Sequence, residues 1–364
     1  MKRLTFLSAV LFCLAVFFCS PSKMRQPNIV LIVIDALRAD FLGCYGADPS
    51  PSPFIDSLAE KGLRFEWAYS QAPRTFESSV ALFTGLYPHQ VAPPTSGYYQ
   101  LPDNIPTFIK SLREQGYYCE AFNTNPNLKF GVLRDFDKVH DLVSTDRKNG
   151  RLIINFASAH EILTRPEKLP QPFFKYVHLM EVHGPWYIEG EQFDQSDAPR
   201  HPEKYLSLYI NSISYIDKEI QRFVQNLEKD TILVITADHG QEILEYGPWC
   251  DHGNSLYPEN VHVPLIISGP GIKAGTEQRT YETNRLSNFF LTGELTPSPA
   301  LTEIATKVTQ GWAIYDRDLG YAEYTLYRGD PTPFELGNQA LRHLMEERIS
   351  QPSDSAIISD TDQE

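Results

Sequence analysis

The sequence predicts an α/β fold with a mostly parallel central sheet, and three observations support this prediction. Several short runs are almost entirely apolar, such as PNIVLIVIDA at residues 27–36, which is typical of strands buried on both faces of a parallel sheet. These runs alternate with helical patterns, as they do in doubly wound sheets. Acids and histidines follow several of the runs, where the carboxyl ends of parallel strands form ligand sites.

Predicted strands and helices alternate along the chain as far as Gly271. The first predicted helix begins with Ser52 and Pro53 and stops at Gly62, which are common residues at these positions. The last and longest predicted helix has apolar residues every three or four positions, so one of its faces is expected to be buried. The predicted strands are 27–35, 64–70, 117–123, 173–180, 231–238 and 262–269, and the predicted helices are 52–63, 104–116 and 205–229.

The pattern weakens after Gly271. Residues 312–327 predict a hairpin, and residues 331–349 end in a predicted helix. The sequence therefore predicts four parts. They are a signal peptide or N-terminal anchor at 1–22, a main domain at 27–285, a small C-terminal α+β subdomain at 286–348 and a disordered acidic tail at 349–364.

The N-terminal segment and the net charge limit the location and the partners of the protein. Residues 1–20 have a basic start and a short apolar run, which predicts export to the periplasm or cell envelope. Cys19 stands where a lipoprotein cysteine would be, and membrane attachment through a retained anchor is the alternative. The formal net charge of −14 argues against a nucleic-acid partner. An anionic substrate would instead require a metal ion or a few focused His and Arg residues.

Two acid-plus-histidine pairs follow the strand predicted at 231–238. They are Asp238-His239 and Asp251-His252, and their closeness in sequence favours a cation or anion site over two structural pairs. Asp35 ends the first predicted strand, where it either caps the next turn or offers a hard oxygen ligand to a divalent cation.

Three further positions complete the set of candidate residues. His178 and His183 follow another predicted strand and are candidates for contacting an anionic substrate. Thr75 stands just before an apolar helical run, so it is expected to cap that helix. A hydroxyl at a helix N-terminus also lies beside free amides, and a cation shared with Asp35 and Asp238 would lower its pKa. Thr75 is therefore also a candidate nucleophile.

Residues 27–272 resemble the sulfatase family of the alkaline phosphatase superfamily. The resemblance rests on several motifs in the family's order, including TFESSVALFTGLYPHQ, FKYVHLMEVHGPW and TADHGQEILEY. It implies an alkaline-phosphatase-like three-layer α/β/α fold with a mostly parallel central sheet. It also implies metal-assisted cleavage of sulfate or phosphate esters through a covalent intermediate, with the main domain as the catalytic one.

The sequence departs from the sulfatases that carry formylglycine. Thr75, Glu77 and Ser79 stand where those enzymes have Cys or Ser, Pro and Arg, so formylglycine is not expected. Asp35 is followed by Ala36 instead of a second Asp, and NTNPNL at 123–128 replaces their lysine-bearing stretch. A threonine nucleophile is similar to the phosphoglycerol and phosphoethanolamine transferases and phosphodiesterases of the superfamily.

That resemblance implies roles for the candidate residues. Asp35, Thr75, Asp238 and His239 are expected to hold one divalent ion, Mg, Mn, Ca or Zn, with Thr75 as the catalytic nucleophile. A second ion would use Glu181 and His252. The substrate's oxyanion is expected to contact His183, His252 and His178.

Three functions are compatible with this sequence. The first is an exported hydrolase of a sulfated or phosphorylated glycan, lipid or small molecule. The second is a transferase that passes the group from Thr75 to an envelope lipid or glycan. The third is a binding protein on a catalytically degenerate scaffold, because a fold can be kept after its catalytic activity is lost.

Overall fold

The structure is a computed structural model that describes residues 26–91, 100–148, 151–165, 168–188, 191–248, 250–305, 309–327, 334–337 and 339–350. The predicted signal peptide or anchor and residues 351–364 of the predicted acidic tail lie outside the described residues. Within the described ranges, no helix combines the length and the apolar character that crossing a membrane requires.

A nine-stranded sheet forms the centre of the molecule, and smaller sheets and hairpins surround it. The strands are β1 (Asn28–Ile34), β2 (Leu63–Tyr69), β3 (Tyr118–Asn123), β4 (Lys138–Asp141), β5 (Val143–Lys148), β6 (Arg151–Phe156), β7 (Phe173–Leu179), β8 (Trp186–Ile188), β9 (Glu191–Phe193), β10 (Thr231–Thr236), β11 (Glu242–Ile243), β12 (Cys250–Asp251), β13 (His262–Val263), β14 (Leu265–Ser268), β15 (Gly275–Glu282), β16 (Ala300–Ala305), β17 (Thr309–Asp316), β18 (Gly320–Tyr327) and β19 (Phe334–Gly337).

Helices cover the central sheet and close the C-terminal part. They are α1 (Pro53–Lys61), α2 (Thr75–Thr84), α3 (Pro88–Val91), α4 (Phe108–Glu114), α5 (Ala159–Leu163), α6 (Pro202–Gln225), α7 (Pro258–Val261), α8 (Leu286–Thr292) and α9 (Gln339–Ser350). The predicted strands and helices up to Gly271 are all present, except that Pro264 divides the last predicted strand into β13 and β14.

The central sheet is mostly parallel, as predicted. Its order is β13-β2-β14-β10-β1-β7-β3-β4, with β15 paired to β2. The strands β10, β1, β7, β3 and β4 pair in parallel, and β15 pairs in parallel with β2. Only β13 and β14 run antiparallel to their neighbours in this sheet. The carboxyl ends of β10, β1, β7 and β3 therefore meet along one edge.

Helices on both faces of the sheet give the predicted three-layer α/β/α fold. Side chains of β1 alternate between the faces, because successive residues of a strand point to opposite sides. Ile29, Leu31 and Val33 pack with α2, α4 and α8. Val30, Ile32 and Ile34 pack with α1, α5 and α6. This burial on both faces is why β1 is apolar throughout.

The C-terminal part forms a separate four-stranded antiparallel sheet, β16 to β19, packed against α9. The predicted hairpin at 312–327 is confirmed by the pairing of β17 with β18. The segment between Gly271 and this hairpin, where the sequence pattern is weak, contains α8. Phe290 of α8 packs against Phe108 in the main core. The separate sheet thus starts at Ala300, and the division of the chain after residue 285 stays a prediction.

A fully buried carboxylate, Glu282 at the end of β15, joins the two parts. Its oxygens accept hydrogen bonds from Tyr87 Oη at 2.6 Å and from Arg285 Nε at 2.8 Å. They also accept from Arg348 Nη1 of α9 at 3.1 Å and from the Leu301 backbone N–H at 2.9 Å. A buried carboxylate is stable only when its charge and its lone pairs are matched in this way.

Glu282→Gln is expected to destabilise the protein by about 1.5–3 kcal/mol, because two half-buried guanidinium groups lose their charged hydrogen-bond acceptor. Urea denaturation followed by fluorescence measures this change. Glu277→Gln, on the same strand, is the matched control, since its partner Arg279 is 70% exposed and exposed pairs contribute at most about 1 kcal/mol. Equal effects of the two substitutions would contradict the anchoring role of Glu282.

Candidate active site

The predicted site residues meet at the carboxyl edge of the central sheet. Asp35 follows β1, His178 lies near the end of β7, and Asp238 follows β10. Because β10, β1 and β7 are adjacent parallel strands, these three side chains project from one edge. Thr75, the first residue of α2, reaches the same point. Strands that are far apart in sequence thus assemble one cluster.

The cluster contains the donor set of a metal site. One ligand atom each from Asp35, His178 and Asp238 lies within 4.8 Å of the others. His178 Nε2 is 3.6 Å from Asp35 Oδ2 and 3.8 Å from Asp238 Oδ2. Three buried atoms, Asp35 Oδ1, His178 Nε2 and Asp238 Oδ2, make no hydrogen bond. Among the described residues, no Lys or Arg lies within ion-pair distance of either carboxylate.

These residues fit a divalent cation. A buried carboxylate without a charge partner is strongly unfavourable, and here two face each other with unpartnered atoms on both. Burial by itself would raise the pKa of Asp238, but the His239 and His178 rings outweigh this effect, so the pKa lies below its usual range. Ionised oxygens together with an imidazole nitrogen form a donor set that Mg, Mn, Ca or Zn can accept.

The turn after β1 directs Asp35 and Asp238 toward each other. Ala36 adopts a left-handed backbone, with φ of 59°, which is uncommon for a residue with a Cβ. In this conformation its N–H donates to Asp238 Oδ1 at 3.2 Å. Tyr209 Oη of α6 donates to the Ala36 carbonyl at 2.7 Å and holds the turn from the other side. The strained turn therefore fixes one carboxylate relative to the other.

The prediction that Thr75 caps α2 is wrong. The N-cap residue is Arg74, and it makes no side-chain cap. Thr75 Oγ1 instead lies 3.4 Å from Asp35 Oδ2 and 3.2 Å from His239 Nε2. The hydroxyl is drawn away from the backbone by the carboxylate and the imidazole, so it faces the cluster as a nucleophile would.

A line of three imidazoles continues from the cluster. The rings of His239 and His252 stack with their centroids 4.1 Å apart. His252 Nε2 is 3.1 Å from His183 Nε2. Burial lowers the pKa of His252 well below its usual range, and the neighbouring His239 and His183 rings act in the same direction.

The backbone fixes which nitrogen of each ring carries hydrogen. Nδ1 of His239, His252 and His183 faces the carbonyl oxygens of Gly240, Pro73 and Gly184 respectively. A carbonyl only accepts, so each Nδ1 is the N–H and each Nε2 of a neutral ring has a lone pair. The 3.1 Å contact between the two Nε2 atoms therefore needs one extra proton or another cation.

The positions of His178 and Glu181 bear on their predicted roles. His178 is fully buried behind the two carboxylates, a position that favours a donor to the ion over direct contact with substrate. Glu181 accepts a hydrogen bond from the Ala159 backbone N–H at the start of α5. Within the described residues, no contact joins Glu181 to His252, so the geometry gives no support to a second ion at that pair.

Asn125 is a site residue that sequence reasoning missed. Its Nδ2 donates to Asp35 Oδ2 at 2.7 Å and lies 3.4 Å from Thr75 Oγ1. Asn125 follows β3, in the stretch that replaces the lysine-bearing motif of the formylglycine sulfatases. Its position after a predicted strand was the signal that could have found it. Ser79, where those enzymes have Arg, is buried in α2 and its Oγ makes no hydrogen bond.

A cleft of about 290 Å³ opens onto this cluster. This volume lies at the lower end of the roughly 300–1,000 Å³ of small-molecule sites. The nucleophile candidate therefore has access from outside, while the carboxylates lie behind it. The lining residues are Arg74, Thr75, Phe76, Glu77, Asn127, Asp251, His252 and Asn254.

A protein-family model described as Sulfatase matches residues 27–293. The chain belongs to the sulfatase family. It is similar to the uncharacterised sulfatase YidJ of Escherichia coli, with 25% identity over 317 residues that cover 68% of this chain and 63% of the relative. It is also similar to the Delta 4,5-hexuronate-2-O-sulfatase of Bacteroides thetaiotaomicron, with 25% identity over 320 residues that cover 71% of this chain and 66% of the relative.

Solved structures support the same fold. The phosphonate monoester hydrolase of Agrobacterium radiobacter superposes with a TM-score of 0.64 and 16% identity, covering 91% of this chain and 92% of that one. The chain spans less than two thirds of the length of the two relatives named above. This sulfatase-family member therefore shares its fold, including the central sheet, with that solved structure.

His178→Ala is expected to weaken binding of a divalent ion by at least about tenfold, because it removes one of the three buried donors. Isothermal titration with Mn²⁺ or Zn²⁺ measures the affinity. His183→Ala, a half-buried imidazole outside the donor set, is the control and should bind the ion nearly as well as the wild type. If His183→Ala weakens ion binding more than His178→Ala does, the ion lies beside His183 instead.

Proposed function

We propose that this protein is a metal-dependent hydrolase of sulfate or phosphate esters that acts through a covalent intermediate on Thr75. The observation that carries the proposal is the position of Thr75 Oγ1. It lies within 3.4 Å of Asp35 Oδ2 and His239 Nε2 and beside the unpartnered atoms of Asp35 and Asp238. A hydroxyl placed this way, on a residue that lines a cleft, has the geometry of an activated nucleophile.

The ion would be held by Asp35, Asp238 and His178, with Thr75 and His239 beside it. When bound, a divalent ion supplies Lewis-acid chemistry, which neutralises negative charge on the ester oxygens and favours the ionised hydroxyl. Asn125 orients Asp35 through its 2.7 Å hydrogen bond, so the carboxylate cannot rotate away from Thr75.

The first chemical step forms a bond from Thr75 Oγ1 to the sulfur or phosphorus of the substrate. The hydroxyl proton goes to Asp35 Oδ2 or His239 Nε2, the two acceptors within reach. The bond to the ester oxygen breaks, and this oxygen leaves as an alcohol after taking a proton. The Thr75 side chain has only one hydroxyl, so the covalent intermediate cannot be released by elimination from the side chain. Water must therefore attack sulfur or phosphorus, which releases the inorganic anion and restores Thr75.

His183 and His252 are proposed to bind the oxyanion of the reacting group. Burial and the neighbouring rings lower the pKa of His252, but an anion bound at the facing Nε2 atoms of the two rings would favour a proton there, and an imidazolium N–H is a strong donor to an anion. In a chain with a net charge of −14, such local positive charge is what an anionic ester requires.

The substrate class is proposed to be a sulfated or phosphorylated glycan or a related small molecule. A relative is named for the removal of a 2-O-sulfate from a hexuronate, and a structural neighbour is named for hydrolysis of phosphonate monoesters. Export through residues 1–22 is part of the same proposal, since such esters occur outside the cell. Attachment to a membrane remains a prediction from that segment alone.

Thr75→Ala is expected to lower kcat for an aryl sulfate or aryl phosphate by at least about 10³-fold, the order of loss seen when a nucleophile is removed. Initial-rate assays with each of Mg²⁺, Mn²⁺, Ca²⁺ and Zn²⁺ measure it. Thr84→Ala, at the other end of α2, is the matched control, because Thr84 Oγ1 contacts only the helix backbone. Acid-quenched wild type should carry one sulfuryl or phosphoryl group on the Thr75 peptide.

Full metal-dependent activity in Thr75→Ala would overturn the covalent mechanism. The same assay separates the alternatives. If the group appears on added glycerol or sugar hydroxyls in preference to water, the protein is a transferase. If the wild type neither takes up a divalent ion nor turns over any ester, the binding-protein reading is favoured.

A further inference from the structure

The active-site cleft contains a cation that the proposed chemistry does not use. Arg74 directly precedes Thr75 and is half-buried in the wall of the cleft. Its Nε donates to the Gly253 carbonyl at 3.2 Å. Its two terminal nitrogens, Nη1 and Nη2, have no hydrogen-bond or ion-pair partner anywhere in the described ranges.

Arg74 differs in this respect from other arginines that the fold shelters. Arg38 pairs with Asp40 and Glu245, and Arg285 and Arg348 pair with Glu282. The carboxylates that line the cleft, Glu77 and Asp251, lie beyond ion-pair distance of Arg74 in the described part of the chain, although the Arg74 charge opposes the rise that burial causes in the pKa of Glu77. In a protein of net charge −14, a sheltered guanidinium whose terminal nitrogens bind no carboxylate among the described residues is positioned for an anion from outside.

The surrounding backbone makes room for Arg74. Gly253 has φ of +81°, and a Cβ added there would lie 2.5 Å from Arg74 Nε and 2.7 Å from Arg74 Cγ. Only glycine both adopts this conformation readily and leaves the guanidinium in place. The side chain is therefore held at one point of the cleft, with its outer edge free.

Arg74 and Thr75 contact different groups. The backbone of Arg74 is extended, with φ of −144° and ψ of 142°, and the helix starts at Thr75. Thr75 Oγ1 faces Asp35 and His239, whereas the guanidinium lies against the loop of Gly253. The two side chains therefore offer separate contact points to a ligand in the cleft.

We infer that the Arg74 guanidinium binds a second anionic group of the substrate, a carboxylate or a second sulfate-like group next to the ester that reacts. A guanidinium presents paired N–H donors that match the two oxygens of such a group. Asn127 and Asn254, which also line the cleft, offer amides to the neutral hydroxyls between the two anions. This inference rests on the proposed function and assigns its substrates to the dianionic esters.

The test is a binding comparison in the full-length Thr75→Ala protein, where no turnover occurs. The probes are aryl sulfates and aryl phosphates that differ only in one ring substituent, a carboxylate, a sulfonate or an uncharged carboxamide. Isothermal titration is expected to show the charged probes binding roughly 10- to 100-fold more tightly than the carboxamide, the range for a charge-assisted hydrogen-bonded pair. The stronger of the two charged probes identifies the second group as carboxylate or sulfate-like.

The affinity ratio of a charged probe to the carboxamide probe should fall to near one in the Thr75→Ala protein that also carries Arg74→Gln. Arg74→Lys should restore part of this ratio. Gly253→Ala should also reduce the ratio, because its Cβ displaces Arg74. Arg279→Gln, an exposed arginine on β15, is the matched control and should keep the full ratio. Circular dichroism confirms that each variant is folded.

Two results would overturn the inference. One is a charged-to-carboxamide ratio near one in the protein that retains Arg74. The other is a ratio that survives Arg74→Gln. Failure of the proposed function is a separate result, because the protein with Thr75 would then turn over none of the probes even if the binding ratio behaves as expected.

Discussion

Two buried carboxylates at the ends of adjacent parallel strands impose the main constraint on this structure. Asp35 follows β1 and Asp238 follows β10, and each has an oxygen that accepts no hydrogen bond from the residues the structure describes. Hydrogen bonds from Ala36, Asn125 and the neighbouring backbone hold the two groups in place. An arrangement of this kind costs stability in the absence of a counter-charge. A bound cation would supply this counter-charge.

The positions of the other active groups follow from that constraint. Thr75 turns its hydroxyl from the helix backbone toward Asp35 and His239, and His178 closes the buried side. His252 lines the cleft together with Arg74 and Thr75, and its Nε2 faces that of His183. The proposed site thus combines a buried cation pocket, a nucleophile and a cleft whose wall contains a guanidinium.

Much of this could be predicted from the sequence. The apolar run of β1 predicted a parallel sheet, because strands buried on both faces are apolar throughout. The acids that follow β1 and β10 predicted the position of the site, because ligands bind at the carboxyl ends of such strands. The order of strands depends on long-range pairing and was not readable. Thr75 was wrongly expected to be a cap, since propensity describes local hydrogen bonds and the carboxylate that competes for the hydroxyl comes from 40 residues away.

Other features were missed for similar reasons. Asn125 is an ordinary loop residue by composition, and the fold brings it to Asp35 from 90 residues away. Arg74 is next to Thr75 in the sequence, but its lack of a carboxylate ion pair among the described residues is visible only in the structure. The segment after Gly271 has short elements that divide between the main core and a separate sheet, so no single periodicity describes it. The absence of formylglycine stays a prediction from the sequence, because oxidation of a threonine side chain would give a ketone and not that aldehyde.

The central claim is that Asp35 and Asp238 hold a catalytic cation, and elemental analysis tests it most directly. Wild type and the Asp35→Asn/Asp238→Asn double variant would be incubated with Mg²⁺, Mn²⁺, Ca²⁺ or Zn²⁺, freed of excess ion and assayed for metal and for ester hydrolysis. The account predicts about one bound ion per wild-type chain, none in the double variant, and loss of activity with the ion. Full activity in ion-free wild type, or an ion retained by the double variant, would contradict it.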